Sequence, residues 1–336
     1  MSHPRALKLL LKRGALVAAA NWPVVLVQFV ADTLFNALLV VPVAGGVVLV
    51  MLLVGAEPSD VLRMEYRDMI PALIGALVAQ PVALAAFLGA LALVAGGGSV
   101  LMFAVKAGTL TVLAAGERAA GNIEHPPLLL ASLARTNQFS IERFTRGMRH
   151  LFGRYLLLGA VLGLAYALAV GAYGVLVFGP PLVSNLDGAL LVTLASLWLI
   201  GLITLVNFVY LLTQIVVATD DCGVGAAASR VARLLVGETR PILGVLGAIL
   251  VLMVLSTAAS VLATAALGLI AFVPFIGLAA LPLQVVAWLI RGLVFQYISL
   301  AGAAAYLRLH RLTGPAEATQ PAAGTSAWGH AGAGQS

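Results

Sequence analysis

The stretch TDDCGVGAAASRVARLLVGETRPILGVLGAILVLMVLSTAASVLATAALGL, residues 219–269, decides the fold. It opens on two acids, Asp220 and Asp221, either of which can cap a helix. A short basic amphipathic segment follows (229–240), with Arg230 and Arg233 placed to meet a membrane surface. Pro241 suits the first turn of a helix, and the apolar run behind it carries no charge until Arg291. The stretch therefore predicts a surface-lying helix feeding a membrane-spanning helix. The same layout occurs at two other places in the chain.

Composition agrees. Of 336 residues, 62% are apolar and 10% charged, against about a quarter charged in soluble domains; mean hydropathy is +1.07. The net charge of +6 fits loops held against anionic lipid and implies no nucleic-acid partner. A single cysteine, Cys222, excludes an internal disulfide framework, and no Cys/His spacing suggests a metal. The apolar stretch behind Arg13 runs on to Gly55, too far for a cleavable signal, and reads as an uncleaved first span.

Taken in order, residues 1–22 form a basic amphipathic cytoplasmic segment with Arg5, Lys8, Lys12 and Arg13 among leucines. Spans are predicted at 23–54, 81–116, 155–178, 189–218, 241–269 and 284–307. The first would be roughly 48 Å long, more than the ~30 Å hydrocarbon core requires. Residues 55–69 make an outer, net acidic connection containing Arg63 and Arg67, and residues 70–80 read as re-entrant or interfacial. The loop 117–154 carries Arg118, Arg135, Arg143, Arg146, Arg149 and Arg154, which places it in the cytoplasm. Within it, 140–152 is an amphipathic helix with Ile141, Phe144, Met148 and Leu151 on one face and Arg143, Arg146 and Arg149 turned away from it. Gly179, Pro180 and Pro181 make a short outer turn, 271–282 another connection, and 313–336 a disordered tail. The expectation is an all-α integral membrane protein of six transmembrane helices, built as three surface-helix-plus-hairpin units. Both termini would be cytoplasmic and the membrane the bacterial inner membrane.

Inside the bilayer, Gly159, Gly163, Ala167 and Gly171 form one small-residue stripe and Ser256, Ser260, Thr264 and Gly268 another. Such stripes let helix backbones approach, and static packing is preferred to a sliding interface. Asn21, Gln28, Asp32 and Asn36 share one helix face, as do Thr193, Ser196, Thr204, Asn207 and Gln214. Both stripes suggest a polar bundle interior. Asp32 and Lys106 each lie about nine or ten residues from the cytoplasmic side, roughly 14–15 Å deep, and are expected to form an intramembrane ion pair. It reads as a structural lock in preference to an ion-coupled switch. Arg291 shares a face with Gln284 nearer the outer leaflet, where snorkelling beside Trp288 is preferred to contact with an anionic ligand.

Catalytic signals are missing. The five histidines sit in loops or tails, Glu124 beside His125 is the nearest approach to an acid/base pair, and no nucleotide-binding or nucleophile motif is present. Gly96, Gly97 and Gly98 lie in apolar sequence and read as a hinge or packing site.

The segments VATDDCGV (217–224), AAASR (226–230), RLLVG (233–237), AYLRLHR (305–311) and NWP (21–23) together resemble a bacterial class of six-span proteins. That class includes the membrane domain of glycerophosphoryl diester phosphodiesterases. The tryptophan usual near the end of the amphipathic helix is absent, and no phosphodiesterase domain accompanies the spans, so the resemblance implies a fold and no activity. The functional expectation is a non-enzymatic scaffold or accessory protein without cofactors. It would bind membrane lipids, or a protein partner in a membrane complex, through its basic surface helices. The alternative is a carrier or permease for a small or lipid-like molecule, using a polar interior that includes Asp32 and Lys106.

Overall fold

The computed structural model describes residues 3–54, 75, 79–125, 130–178, 188–237, 239–271 and 276–313. The expectations for the 55–69 connection with Arg63 and Arg67, for most of 70–80, for the turn at 179–181 and for the tail from 314 fall outside them.

Nine helices are described, with no strand among the described residues: α1 (His3–Ala20), α2 (Trp22–Val54), α3 (Pro81–Ala119), α4 (Leu130–Thr136), α5 (Ile141–Phe178), α6 (Gly188–Asp220), α7 (Val224–Gly237), α8 (Thr239–Ala271) and α9 (Ile276–Thr313). Six of them, α2, α3, α5, α6, α8 and α9, are long and apolar enough to cross a membrane. Alternating direction along the chain brings the C-terminal ends of α3, α6 and α9 to the same end of the bundle as α1, α4 and α7.

That end holds the core. Leu113, Ile215, Ile242, Leu307 and Val17 are fully buried there. Three tyrosines pin neighbouring helices through their hydroxyls. Tyr155 donates to the Gln214 carbonyl at 2.9 Å, Tyr306 to Ile242 at 3.2 Å and Tyr297 to Ala15 at 3.0 Å. A phenol packed among aliphatics needs such a partner, since an unmatched buried hydroxyl is costly. Toward the other end the helices carry outward-facing apolar side chains, among them Leu38, Leu93, Leu168, Leu197 and Leu262, as lipid-facing surface requires.

Two predicted surface helices are corrected. The first, α1, is inserted among the other helices and packs along α9. Gly14 makes this possible: a Cβ there would lie 2.3 Å from the Ala301 carbonyl oxygen, so only glycine admits the two backbones this closely. α1 ends at Asn21, whose own backbone and side chain reorganise the chain into α2. Its Nδ2 donates to the carbonyls of Val17 (2.9 Å) and Thr136 (3.0 Å), and its Oδ1 accepts from the Gln138 amide (2.9 Å). The second surface helix, predicted at 140–152, is continuous with the span predicted at 155–178. Leu151, Tyr155 and Leu158 continue one buried face across the expected break, so packing carries the helix through. Ser140 caps it, its hydroxyl accepting from the Arg143 amide at 3.1 Å. The third, α7, is a separate amphipathic helix burying Ala227 and Val231.

Other boundaries shift as well. Residues 81–119 are one helix straight through the three glycines, of which Gly98 lies against the Phe35 ring. α9 begins at Ile276 and runs through Pro282, inside the stretch expected to be an outer connection. Asp220 and Asp221 do not cap α7. Asp220 ends α6, Asp221 takes a left-handed φ of 48° that an aspartate tolerates, and both carboxylates enter ion pairs.

Candidate functional site

The polar residues of the spans gather around two adjoining cavities. The lower, about 220 Å³, lies where α2, α3, α6 and α9 meet. Four-residue spacing puts Gln28 and Asp32 on the α2 face that lines it; Lys106 and Thr109 come from α3, Gln214 from α6, and Gln296 and Ser299 from α9. The upper, about 470 Å³, is lined by α2 and α9 and edged by Met253 of α8. It adds Thr33, Asn36, Trp288 and Arg291, and shares Asp32, Gln296 and Ser299 with the lower cavity. Gly292 brings α9 against α2, since a Cβ there would meet the Phe29 ring at 2.7 Å.

Among the described residues three charges face this chamber, and none is neutralised by contact. Asp32 and Lys106, the expected ion pair, line the same cavity without a direct contact within 4.0 Å. Asp32 instead accepts from Asn36 Nδ2 at 3.3 Å. The Lys106 ammonium lies 5.7 Å from the centre of the Tyr210 ring, and Asp32 is the charge it faces across the lower cavity. Arg291 lies 5.5 Å from the Phe295 ring and pairs with no carboxylate among the described residues. Around them, Thr109 donates to Gln28 at 3.2 Å, while the amide nitrogen of buried Gln214 and the hydroxyl of Tyr210 have no partner. Each orphaned group costs about 1–3 kcal/mol, so the site holds unspent hydrogen-bonding capacity.

Not every predicted polar residue joins in. Asn207 is exposed and accepts from the Tyr166 hydroxyl at 2.5 Å, and Ser196 meets the Tyr173 hydroxyl at 3.1 Å, so this part of the α6 stripe faces α5. The helix turns about 100° per residue, and only its last member, Gln214, reaches the chamber. The small-residue stripes are also corrected. Gly159 packs against the Phe103 ring, but Gly163, Ala167 and Gly171 are exposed, with open space beside both glycines. On α8, Ser256 and Ser260 are half-buried, Thr264 is exposed and Gly268 has open space beside it.

Sequence reasoning missed a charged knot at the other end of the bundle. Arg13, 3% exposed, bridges two acids. Its Nε donates to both Glu117 oxygens (2.8 and 2.9 Å) and its Nη1 to Glu124 Oε2 (2.6 Å) and to the Gly121 carbonyl. Lys12 caps the Glu124 carbonyl at 2.8 Å, and Arg308 stands 3.8 Å from Glu117. Glu124, expected to sit solvated and unperturbed, is buried. Burial opposes its charge, but its backbone hydrogen bond and Arg13 outweigh that and hold its pKa below the ordinary value. Around it lie two further links. Asp220 pairs with Arg230 and with His310 (3.0 Å). Asp221 pairs with Arg154 and His150 (2.9 Å), and their hydrogen bonds depress its pKa.

The predicted basic surface is therefore partly spoken for. Arg230 serves Asp220, Arg143 donates to the Gln138 carbonyl and side chain (both 2.6 Å), and Arg146 pairs with Glu142 at 2.6 Å. Arg149 and Arg233 remain exposed. Among the described residues no three His, Cys, Asp or Glu side chains gather as metal ligands would.

No protein family, no curated protein and no solved structure matches this chain. The likeness to six-span bacterial proteins thus rests on its short motifs alone, and what stands is a multi-pass membrane protein by helix length and hydropathy.

Proposed function

We propose that this chain binds and carries a small or lipid-like molecule through the chamber around Asp32 and Lys106. One observation supports this above the scaffold reading. Asp32, Lys106 and Arg291 line connected cavities without direct ion-pair partners, although an unpaired charge inside a membrane costs a few kcal/mol or more. A purely structural bundle gains by closing such charges into contact pairs. Holding them apart around open space is what a ligand site requires.

In this proposal the end bearing Arg13, Arg149, Arg154, Arg233 and Arg308 is cytoplasmic by the positive-inside rule, in a bacterial inner membrane. No chemical step is assigned: the chamber holds one carboxylate and no nucleophile–base pair. The test is native mass spectrometry of protein released gently from its own membrane. A defined molecule retained at fixed stoichiometry, and lost in both Asp32→Asn and Lys106→Met, is the expected result. Bulk lipid alone would sink the carrier reading.

The scaffold reading keeps one observation in its favour, the exposed Arg149 and Arg233 beside Val236, which is 86% exposed on α7. A second polypeptide co-released with only heterogeneous lipid would favour it.

A further inference from the structure

We infer that the upper cavity is a headgroup site for a singly charged anionic amphiphile, whose phosphodiester or carboxylate sits on Arg291 while its tails stay in the bilayer. The inference rests on the carrier reading and names its ligand class.

The charges on the chamber wall are Arg291, Lys106 and Asp32. Asp32 lines both cavities, with Lys106 in the lower and Arg291 in the upper, so two cations and one carboxylate leave one positive charge over. A ligand with one negative charge brings the wall to neutrality. A doubly charged phosphate would meet Asp32 as well, so the same carboxylate that balances Lys106 selects against dianions. Arg291 is placed to act. Its guanidinium lies over the Phe295 ring, 5.5 Å away, and among the described residues no carboxylate occupies its donor fork. That planar fork matches two oxygens of one oxyanion. The side chains of Asn36, Thr33, Gln296 and Ser299 offer hydrogen bonds to the rest of a polar head.

Access points to an amphiphile. α9 packs on both α2 and α8, whereas α2 and α8 scarcely meet, so the chamber is a cleft open between them. Asn36, Trp288 and Arg291 are exposed along that opening. Both flanking helices expose apolar side chains, Leu34 on α2 and Val254 and Val261 on α8. At about 470 Å³ the cavity holds a headgroup but not a whole lipid. A polar head can therefore enter sideways without its tails leaving hydrocarbon.

The experiment uses the full chain in nanodiscs of equal phosphatidylglycerol and phosphatidylcholine, with lipid retained on ejection read by native mass spectrometry. Phosphatidylglycerol should be held at fixed stoichiometry about tenfold over phosphatidylcholine, and also over phosphatidic acid in a matched mixture. Arg291→Gln should bring the first ratio to parity, Arg291→Lys should restore part of it, and Arg135→Gln, which removes an equal exposed charge elsewhere, should leave it unchanged. Arg291 is exposed and lies over the Phe295 ring, and an unchanged melting curve for Arg291→Gln would verify its fold. Parity in the wild type, or a preference that survives Arg291→Gln, overturns the assignment and leaves Arg291 as a snorkelling residue. Displacement of the lipid by excess inorganic phosphate would assign a soluble anion and overturn the amphiphile. A neutral lipid held at fixed stoichiometry and lost in Lys106→Met would reject the anion but keep the carrier. Retention of no defined ligand by any variant would reject both.

Discussion

The two ends of this bundle treat charge in opposite ways. In the knot, Arg13 is 3% exposed and makes contact pairs with both Glu117 and Glu124. In the chamber, Asp32, Lys106 and Arg291 make none. The residue types are the same, but the packing differs. Where glycine and tyrosine let helices close, charges are pressed into bonds. Where α2 and α8 part, charges face space. A buried pair is costly to break from one side because the survivor keeps its charge without a partner. A chamber charge has no bonded partner to strand.

That contrast is open to attack at several points. The largest effect is expected from Arg13→Met, which leaves Glu117 and Glu124 facing each other and should cost about 3–5 kcal/mol of stability. Thermal melting in detergent would read it, and an unchanged transition would dissolve the contrast. Next, Gly14→Val should cost about 1–3 kcal/mol through overpacking against α9, while Gly163→Val, with open space beside it, should stay within ±0.5 kcal/mol. Equal effects would mean that both ends pack alike.

Acid should also act on the knot. Glu124 has a depressed pKa in the folded protein. Its contribution is therefore fully present above the ordinary carboxylate pKa and is lost as pH falls through the depressed value. Melting temperature should drop on acidification below about pH 4, and Glu124→Gln should flatten that slope. The smallest effect belongs to Asp221→Asn. Its ion pairs with Arg154 and His150 are 60% exposed on the aspartate side, and solvent screening limits the loss to about 0–1 kcal/mol.

The six long apolar runs were legible because each is local: hydropathy over a window needs no partner. The chamber was half legible. Spacing puts Gln28, Asp32 and Asn36 on one face, yet it cannot tell that Asn207 turns to Tyr166 while Gln214 turns inward, since a few residues of helix rotate the face away. The knot was not legible at all. Arg13 sits in a segment that reads as a basic surface helix, and its partners lie more than 100 positions away, at separations of 104 and 111. No periodicity links them. The Gly163, Ala167 and Gly171 stripe shows the converse: small residues permit an approach, but nothing in their spacing supplies a helix to approach.

The seating of α1 on α9 has a consequence for biosynthesis. The Tyr297 hydroxyl reaches the Ala15 carbonyl across 282 positions, and Gly14 rests on Ala301. A ribosome delivers α1 first and α9 last, so through most of synthesis the first helix lacks its main docking surface: Arg13 can meet Glu117 and then Glu124 as they emerge, and Arg308 reaches Glu117 only at the end. The clasp closes only when the sixth span has entered the bilayer.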